Sequence, residues 1–66
     1  MPDTFGERLR IIRKNKRIKQ CDLAKKIGIA QAQLSRFERG LHVPTITTLE
    51  WICKALDVSA TELLGW

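Results

Sequence analysis

This sequence has few of the groups from which active sites and metal centres are built. Its 66 residues include one histidine, His42, and two cysteines, Cys21 and Cys53, which are not spaced like metal ligands. The carboxylates are not clustered, and no stretch resembles a glycine-rich phosphate loop. We therefore expect no catalytic residues, no metal and no cofactor, which argues against an enzyme.

Long apolar runs are also missing. No run approaches the roughly 20 residues of a membrane span, and the first ten residues, MPDTFGERLR, lack the apolar core of a signal peptide. We predict a cytoplasmic protein, in which each cysteine behaves as a small buried apolar side chain. Without a linker, an internal repeat or a visible sensor of small molecules, residues 1–66 are expected to form a single domain.

The charge is positive and unevenly distributed. Residues 1–39 carry eleven Lys and Arg against four Asp and Glu, whereas residues 40–66 carry one against three, so the two segments have net charges of +7 and −2. A folded chain with one basic side is suited to a polyanionic partner. Basic surface that serves only solubility remains an alternative at this point.

Apolar spacing predicts five helices and no strands. Thr4 and Glu7 form a capping box that opens a first helix of about ten residues, which ends in the basic run RKNKR. A second helix covers roughly 20–27 and stops at Gly28, a residue suited to a left-handed C-terminal cap. A third helix of about 31–39 follows after a very short turn and is closed by Gly40.

Two further helices complete the chain. Pro44 blocks continuation of the third helix, and Thr45 is a suitable N-cap for the fourth. Ser59 and Glu62 form another capping box, which opens the short fifth helix. The side chains predicted to face the core are Phe5, Leu9, Ile12, Leu23, Ala24, Ile27, Leu34, Phe37, Ile46, Leu49, Ile52, Cys53, Leu56, Leu63 and Leu64.

The order of these residues resembles the lambda-repressor-like helix-turn-helix family, also called Xre or Cro-type regulators. The resemblance runs from about Phe5 to Leu64 and is carried by LRIIRK, QCDLAKKIGI, LSRFERG and VPTITTLEWICKALDVSATELL. It implies an all-α, five-helix DNA-binding domain. In such proteins the helix-turn-helix, here about residues 20–39, places its second helix in the major groove of double-stranded DNA while the first crosses the phosphate backbone.

The outward face of the third helix has side chains that suit base edges. On a wheel of 100° per residue, Leu34 and Phe37 point inward, opposite Ala32 and Arg36. Glutamine pairs with adenine, arginine pairs with guanine, and a methyl group fits against the methyl group of thymine. The resemblance assigns base reading to Gln31, Ala32 and Arg36, and Ser35 touches either a base or a phosphate.

Phosphate contacts are expected from helix N-termini and from nearby basic or amide side chains. By resemblance, Gln20 binds a phosphate and also braces Gln31. Weaker candidates for phosphate binding are Lys19, Gln33, Arg39, His42 and Thr45. Lys14, Lys16, Lys25 and Lys26 are interpreted as solvated surface that adds only to the general field.

Two positions at helix edges are expected to form a structural ion pair. Arg13 lies beside the apolar face of the first helix, and Glu38 lies beside Phe37. In the family these positions often hold a partly buried pair that ties the first helix to the recognition helix. Replacing Glu38 with alanine is therefore predicted to weaken both the fold and DNA binding.

Three positions depart from the family pattern. Arg17 stands where glycine is common, and Lys19 and Ala30 stand where Ser or Thr often caps the second and third helices. Each missing cap is expected to cost on the order of 1 kcal/mol. The two basic residues add charge where DNA approaches, whereas Ala30 has no explanation except that the wheel places it on the core side.

Several exposed apolar side chains raise the question of a partner protein. Ile11 and Trp51 are predicted to point away from the core, and Trp66 ends the chain. Trp51, the fifth helix and Trp66 are candidates for a two-fold homodimer interface, as in several relatives, although Trp66 can also pack locally. A dimer would read two half-sites of a pseudo-palindromic operator about 34 Å apart.

The leading functional interpretation is a sequence-specific transcriptional regulator, a repressor of bacterial, plasmid or prophage origin. Alternatives of the same fold are an antitoxin or the controller protein of a restriction–modification system. A protein-interaction module that keeps the fold without reading DNA is a further alternative. Gln31, Ala32 and Arg36 beside a basic flank favour a DNA groove over a protein surface.

Overall fold

The computed structural model describes residues 4–64, and within that range it contains five α-helices and no strand. The helices are α1 (Phe5–Asn15), α2 (Gln20–Ile27), α3 (Gln31–Glu38), α4 (Ile46–Leu56) and α5 (Ala60–Leu64). The predicted fold class is confirmed, and α3 ends one residue earlier than expected. Trp66, one of the predicted dimer residues, lies outside the described range.

Hydroxyl side chains begin three of the helices. The Thr4 Oγ1 accepts a hydrogen bond from the Glu7 amide at 3.2 Å, and the Thr45 Oγ1 accepts one from the Thr48 amide at 3.3 Å. At α5 the Ser59 Oγ accepts from the Glu62 amide at 3.1 Å. Each cap satisfies a backbone donor that the first turn of a helix leaves without a partner.

Glycines end α2 and α3. Gly28 has a φ of 88° and Gly40 a φ of 77°, the left-handed region that a residue without Cβ adopts at little cost. The amide of the residue after each glycine bonds back into the helix, from Ile29 to the Ala24 carbonyl at 3.0 Å and from Leu41 to the Arg36 carbonyl at 2.9 Å. The closure at Gly28 allows the chain to leave α2 and enter α3 after three residues.

The core is built from all five helices. Its fully buried side chains are Leu9 of α1, Leu23 of α2, Leu34 of α3, Ile52 and Leu56 of α4, and Leu63 of α5. Burying such a side chain stabilises a fold by roughly 1.5–3 kcal/mol relative to leaving it exposed. Around this core α1 contacts α3 and α5, α2 contacts α3 and α4, and α4 contacts α5.

Some core predictions were wrong. Ile46 is 76% exposed because it is the first residue of α4, beyond the point where that helix meets the core. Cys21 and Cys53 are only partly buried, although Cys53 packs against the core as predicted, and both are free thiols. Burial nonetheless raises the pKa of the Cys53 thiol, and the nearby Glu50 carboxylate raises it further.

Gly6 is a structural residue that the sequence pattern did not reveal. A Cβ at this position would collide with the Phe37 carbonyl oxygen and would lie 2.8 Å from that of Glu38. The first turn of α1 therefore packs directly on the backbone at the end of α3. Because this contact joins residues far apart in the chain, nothing local to Gly6 predicts it.

Candidate nucleic-acid interface

The outward face of α3 carries the four side chains predicted to read bases. Leu34 and Phe37 are buried and hold the helix to the core, while Gln31, Ala32 and Arg36 are exposed on its other side. Ser35 is half-buried at the edge of this face. The exposed face of the helix thus presents the amide of Gln31, the guanidinium of Arg36 and the methyl group of Ala32.

The N-termini of α2 and α3 have no side-chain cap. Lys19 precedes α2 and Ala30 precedes α3, and neither side chain accepts a hydrogen bond from the helix that follows. Ala30 is exposed, so the prediction that it faces the core was wrong. It lies at the N-cap, before the helical periodicity begins, and the wheel therefore misplaced it. Uncapped amides and the helix dipole favour an anion at both positions.

Arg13 and Glu38 form a buried, doubly bonded ion pair between α1 and α3. The Arg13 Nε donates to the Glu38 Oε2 at 2.6 Å, and the Arg13 Nη2 donates to the Oε1 at 3.1 Å. The side chains are 10% and 4% exposed. The third hydrogen bond of this arginine, from Nη1 to the Ile18 carbonyl at 2.8 Å, holds the turn before α2.

Gln20, the first residue of α2, extends this pair to the start of α3. Its Nε2 donates to the Glu38 Oε1 at 3.1 Å, and its Oε1 accepts from the Gln31 Nε2 at 3.3 Å. The side chains of Arg13, Glu38, Gln20 and Gln31 therefore form one hydrogen-bond chain. It begins in the protein interior and ends on the exposed face of α3.

A polar cleft of about 260 Å³ opens beside this hydrogen-bond chain. It is lined by Arg10, Arg13, Gln20, Ser35, Glu38 and Arg39. With three arginines against one carboxylate, which Arg13 neutralises, the cleft carries excess positive charge and suits a phosphate.

Arg10 is a member of this cleft that sequence reasoning missed. It lies three residues before Arg13, and residues three apart on a helix share one face. The helical spacing from Arg13 to Arg10 would have predicted this placement.

The remaining candidates lie around the cleft or apart from it. On α3 the Arg36 Nη1 donates to the Gln33 Oε1 at 3.4 Å, and after it the Arg39 Nε donates to the Ser35 carbonyl at 3.4 Å. His42 and Thr45 lie in the exposed segment between α3 and α4, outside the lining of the cleft. The Thr45 hydroxyl is engaged by the cap of α4 and by the Thr48 Oγ1 at 3.1 Å.

Arg17, where the family often has glycine, has a φ of 58°. This left-handed conformation brings the Cβ of an ordinary residue close to the following carbonyl and costs free energy. The backbone at this turn thus has the shape that glycine adopts readily, although the side chain present is a long cation.

Exposed apolar side chains lie on α1, on α4 and in the segment that precedes α4. Ile11 and Trp51 are 43% and 48% exposed, as the helical spacing predicted. Leu41 and Val43, which were not singled out from the sequence, are 61% and 87% exposed.

Within residues 4–64 no helix is long and apolar enough to cross a membrane, and no group of three His, Cys, Asp or Glu side chains is placed to hold a metal.

Comparison with known proteins identifies the family. The model of the Cro/C1-type helix-turn-helix DNA-binding domain matches residues 8–66. The chain belongs to this family.

The comparisons also include named relatives. The chain is 32% identical over 62 residues to the immunity repressor of Bacillus phage phi105, covering 94% of this chain and 43% of that protein. It is 42% identical over 61 residues to the transcriptional regulator SinR of Bacillus subtilis, covering 91% of this chain and 55% of SinR. The chain thus spans about half the length of these curated relatives.

Among solved structures, the P22 c2 repressor in complex with a synthetic operator is similar to this chain over most of its length. The two chains are 36% identical with a TM-score of 0.86, and the match covers 92% of each. This Cro/C1-type chain therefore has the fold of a repressor that has been seen with DNA.

Proposed function

We propose that this chain binds double-stranded DNA sequence-specifically and regulates transcription, as a repressor of bacterial, plasmid or prophage origin. The helix-turn-helix covers residues 20–39 within a single domain, and α3 enters the major groove. The observation that carries the proposal is the position of the exposed α3 face directly beside the arginine-lined cleft. Because the two surfaces are adjacent, one DNA duplex can contact the base-reading surface and the phosphate-binding surface at the same time.

Gln31, Ala32 and Arg36 contact base edges in this proposal, with Ser35 at the boundary between bases and backbone. The exposed amide of Gln31 suits adenine, and the guanidinium of Arg36 suits the two acceptors of guanine. The methyl group of Ala32 allows the helix to lie deep in the groove. A larger side chain at that position would hold the whole helix away from the bases.

The phosphate backbone is bound beside α3, at the start of α2 and in the arginine-lined cleft. Gln20 and the open amides at the start of α2 contact one phosphate, and Lys19 adds charge there. Arg39 and Arg10, which share the cleft with Gln20, are placed for a second contact. Gln33, His42 and Thr45 are further candidates for phosphate contacts. Thr45 contributes only if its hydroxyl can bind a phosphate while it also caps α4.

A homodimer that reads two half-sites of a pseudo-palindrome is part of the proposal. Trp51 lies on α4, half-exposed, and is the described side chain that we assign to the interface. Sedimentation at high concentration, with and without operator DNA, measures this directly. A monomer under both conditions would overturn the dimer while leaving DNA binding intact.

Selection of bound duplexes from a random pool tests DNA reading. We expect enrichment of an inverted repeat, and Gln31→Ala is expected to relax preference at one base position in each half-site. Discrimination there should fall by about 1–3 kcal/mol. No enrichment even at low salt would instead favour a protein-interaction module.

Salt dependence separates phosphate contacts from base contacts. Arg39→Ala is expected to weaken binding to all sequences alike and to reduce the slope of log affinity against log salt by about one. Lys54→Ala is the matched control, because Lys54 lies on α4, outside the cleft, and loses the same formal charge. Equal slopes for both variants would contradict the phosphate assignment.

A further inference from the structure

The hydrogen-bond chain of Arg13, Glu38, Gln20 and Gln31 has a direction that is set at its buried end. Glu38 is 7% exposed and Arg13 is 8% exposed. A guanidinium only donates hydrogen bonds, and a carboxylate paired with it only accepts. Both oxygens of Glu38 are therefore acceptors, and any further partner of this carboxylate must be a donor.

The amide orientation of Gln20 follows from that constraint. The Gln20 side chain contacts the Glu38 Oε1 at 3.1 Å, so its NH₂ group must face the carboxylate. Its carbonyl oxygen is then on the opposite side of the amide carbon, toward Gln31. This orientation depends on the chemistry of Glu38 and not on which amide atom is drawn as nitrogen.

Gln31 is oriented in turn. The Gln20 oxygen, 3.3 Å away, accepts one hydrogen of the Gln31 NH₂ group. The Gln31 carbonyl oxygen and its second N–H then remain for other partners. An exposed glutamine without this brace would present either end of its amide, because the two orientations differ little in energy when water solvates both.

We infer that Glu38 determines which base Gln31 reads, although Glu38 itself contacts no DNA. The inference rests on the proposed function and names a positioning residue for it. One acceptor and one donor on Gln31 match adenine, which presents an N6 donor beside an N7 acceptor. Guanine presents two acceptors, so the amide oxygen of Gln31 would meet the guanine O6 without a proton between them.

The opposite amide orientation would give the opposite preference. If Gln20 turned its oxygen toward position 38, its NH₂ group would donate to the Gln31 oxygen. Gln31 would then direct its NH₂ group outward, where it suits the paired acceptors of guanine. Changing the buried carboxylate at position 38 to an amide thus alters the base preference of Gln31 through the intervening side chain of Gln20.

Base preference of three variants tests the inference. The readout is the ratio of adenine to guanine at the position that Gln31→Ala relaxes, measured by selection and by titration of two matched duplexes. For Glu38→Gln we expect this ratio to fall by roughly five- to a hundredfold, the discrimination of one bidentate contact. The preference at the other operator positions is expected to remain unchanged.

The exchange variant Gln20→Glu with Glu38→Gln provides the rescue. The amide introduced at position 38 donates to the carboxylate introduced at position 20, and that carboxylate accepts from Gln31 as Gln20 does. The adenine preference is expected to return to the level of the original protein. Affinity for every sequence falls, because a negative charge now lies near a phosphate.

Gln20→Leu keeps the test decisive where Glu38→Gln folds poorly. This variant leaves the buried pair of Arg13 and Glu38 intact but removes the Gln20 hydrogen bonds to Glu38 and Gln31. The proposed phosphate contact of Gln20 is lost with them, so overall affinity falls and the base ratio is the readout. We expect the same loss of adenine preference, with a melting temperature close to that of the original protein. A purely structural role for Glu38 would lower stability and overall affinity without moving the base ratio.

Retention of the adenine preference in both Glu38→Gln and Gln20→Leu would overturn the inference. So would an original protein that prefers another base at the position relaxed by Gln31→Ala. An original protein that enriches no sequence at all would instead contradict the proposed function. The two failures are therefore distinguishable within one selection experiment.

Discussion

The helix pairs α2–α3 and α4–α5 have the same plan but are stabilised differently. In each pair the first helix ends in a left-handed residue, Gly28 or Asp57, and the second begins after a short turn. Hydroxyl caps begin both α4 and α5, whereas neither α2 nor α3 has a side-chain cap. Arg17, with its left-handed backbone, lies in the turn before α2, two residues ahead of the N-cap Lys19.

The two pairs also attach to α1 by different means. α5 packs on α1 around the fully buried Leu63, with one exposed hydrogen bond from the Arg8 Nη2 to the Glu62 carbonyl at 3.3 Å and no ion pair between the described residues of the two helices. α3 is joined to α1 by the charged pair of Arg13 and Glu38 and by the close backbone contact at Gly6.

This difference indicates where local stability is given up for binding. Lys19 and Ala30 leave helix starts uncapped and Arg17 has a left-handed backbone, all in or beside the part of the chain proposed to contact DNA. Asp57 at the end of α4 is also left-handed, with a φ of 56°, but aspartate adopts this conformation more readily than arginine. Natural proteins depart from local rules most often at functional sites, where the departure serves a ligand. Open helix amides and added cations are features that favour a phosphate.

The largest predicted effect comes from breaking the charged attachment of α3. Glu38→Ala leaves the Arg13 guanidinium buried without its partner, which is expected to cost about 3–5 kcal/mol of folding free energy. Urea denaturation with fluorescence of the tryptophans measures this. A domain of this size has only several kcal/mol to lose, so much of the variant should be unfolded at 25 °C.

The matched control for that prediction removes both charges together. Replacing Arg13 and Glu38 each with leucine leaves no stranded charge and is expected to retain most of the stability. Equal stability of Glu38→Ala and the original protein would show that the pair does not hold α3.

The close contact between α1 and α3 gives the second effect. Gly6→Ala places a methyl group against the carbonyls of Phe37 and Glu38, and the two helices must separate. We expect a loss of about 1–3 kcal/mol, as for other overpacked sites, together with a weaker charged pair. Lys14→Ala on the same helix is an exposed control and should change stability little. An unchanged melting temperature in Gly6→Ala would refute the contact.

Relieving the strained turn before α2 should separate stability from binding. Arg17→Gly removes the Cβ from a residue with a φ of 58° and is expected to stabilise the fold by about 1 kcal/mol. DNA affinity should fall at low salt, because one cation near the duplex is lost. Thermal melts and titration at two salt concentrations measure both changes. Arg17→Ala, which loses the charge but keeps a Cβ, should lose affinity without the gain in stability.

The smallest pair of effects exchanges the capping pattern between the two helix pairs. Ala30→Ser supplies α3 with a hydroxyl cap and is expected to add about 0.5–1 kcal/mol of stability. Thr45→Ala removes the cap of α4 and should cost a similar amount, while Thr45→Ser should cost little. Chemical denaturation resolves these differences. A gain in the free energy of unfolding for Ala30→Ser together with a loss for Thr45→Ala would support the difference in capping between the two helix pairs. Changes of the same sign would contradict it.

Much of the fold was predictable from local signals. The capping residues Thr4, Thr45 and Ser59 and the closing glycines act through hydrogen bonds within a few residues of themselves. Apolar periodicity correctly predicted that Leu9, Leu34 and Leu63 face the core. It wrongly assigned Ile46 and Ala30 to the core. Both residues lie at helix starts, where a helical wheel still assigns a face although the chain there does not yet contact the core.

The candidate interface was predictable in part. The outward face of α3 follows from helical spacing, and the pairing of Arg13 with Glu38 was expected only by family resemblance. The participation of Arg10 in the cleft and the contact of Gly6 with α3 were not predicted. Arg10 could have been found from its helical spacing to Arg13, whereas the contact of Gly6 depends on how α1 lies across α3, a relation between residues about 30 positions apart.

The sequence by itself determined five helices, their ends to within about one residue, the basic half of the chain and the set of side chains on the face of α3. These features depend on backbone conformation, spacing and charge, which act locally or simply add together. Only the tertiary structure decided that Glu38 is buried against Arg13 and touches Gln20 as well. Burial against Arg13 makes that carboxylate a fixed hydrogen-bond acceptor. The carboxylate sets the orientation of the Gln20 amide, and Gln20 sets that of the Gln31 amide, because each amide donates at one end and accepts at the other.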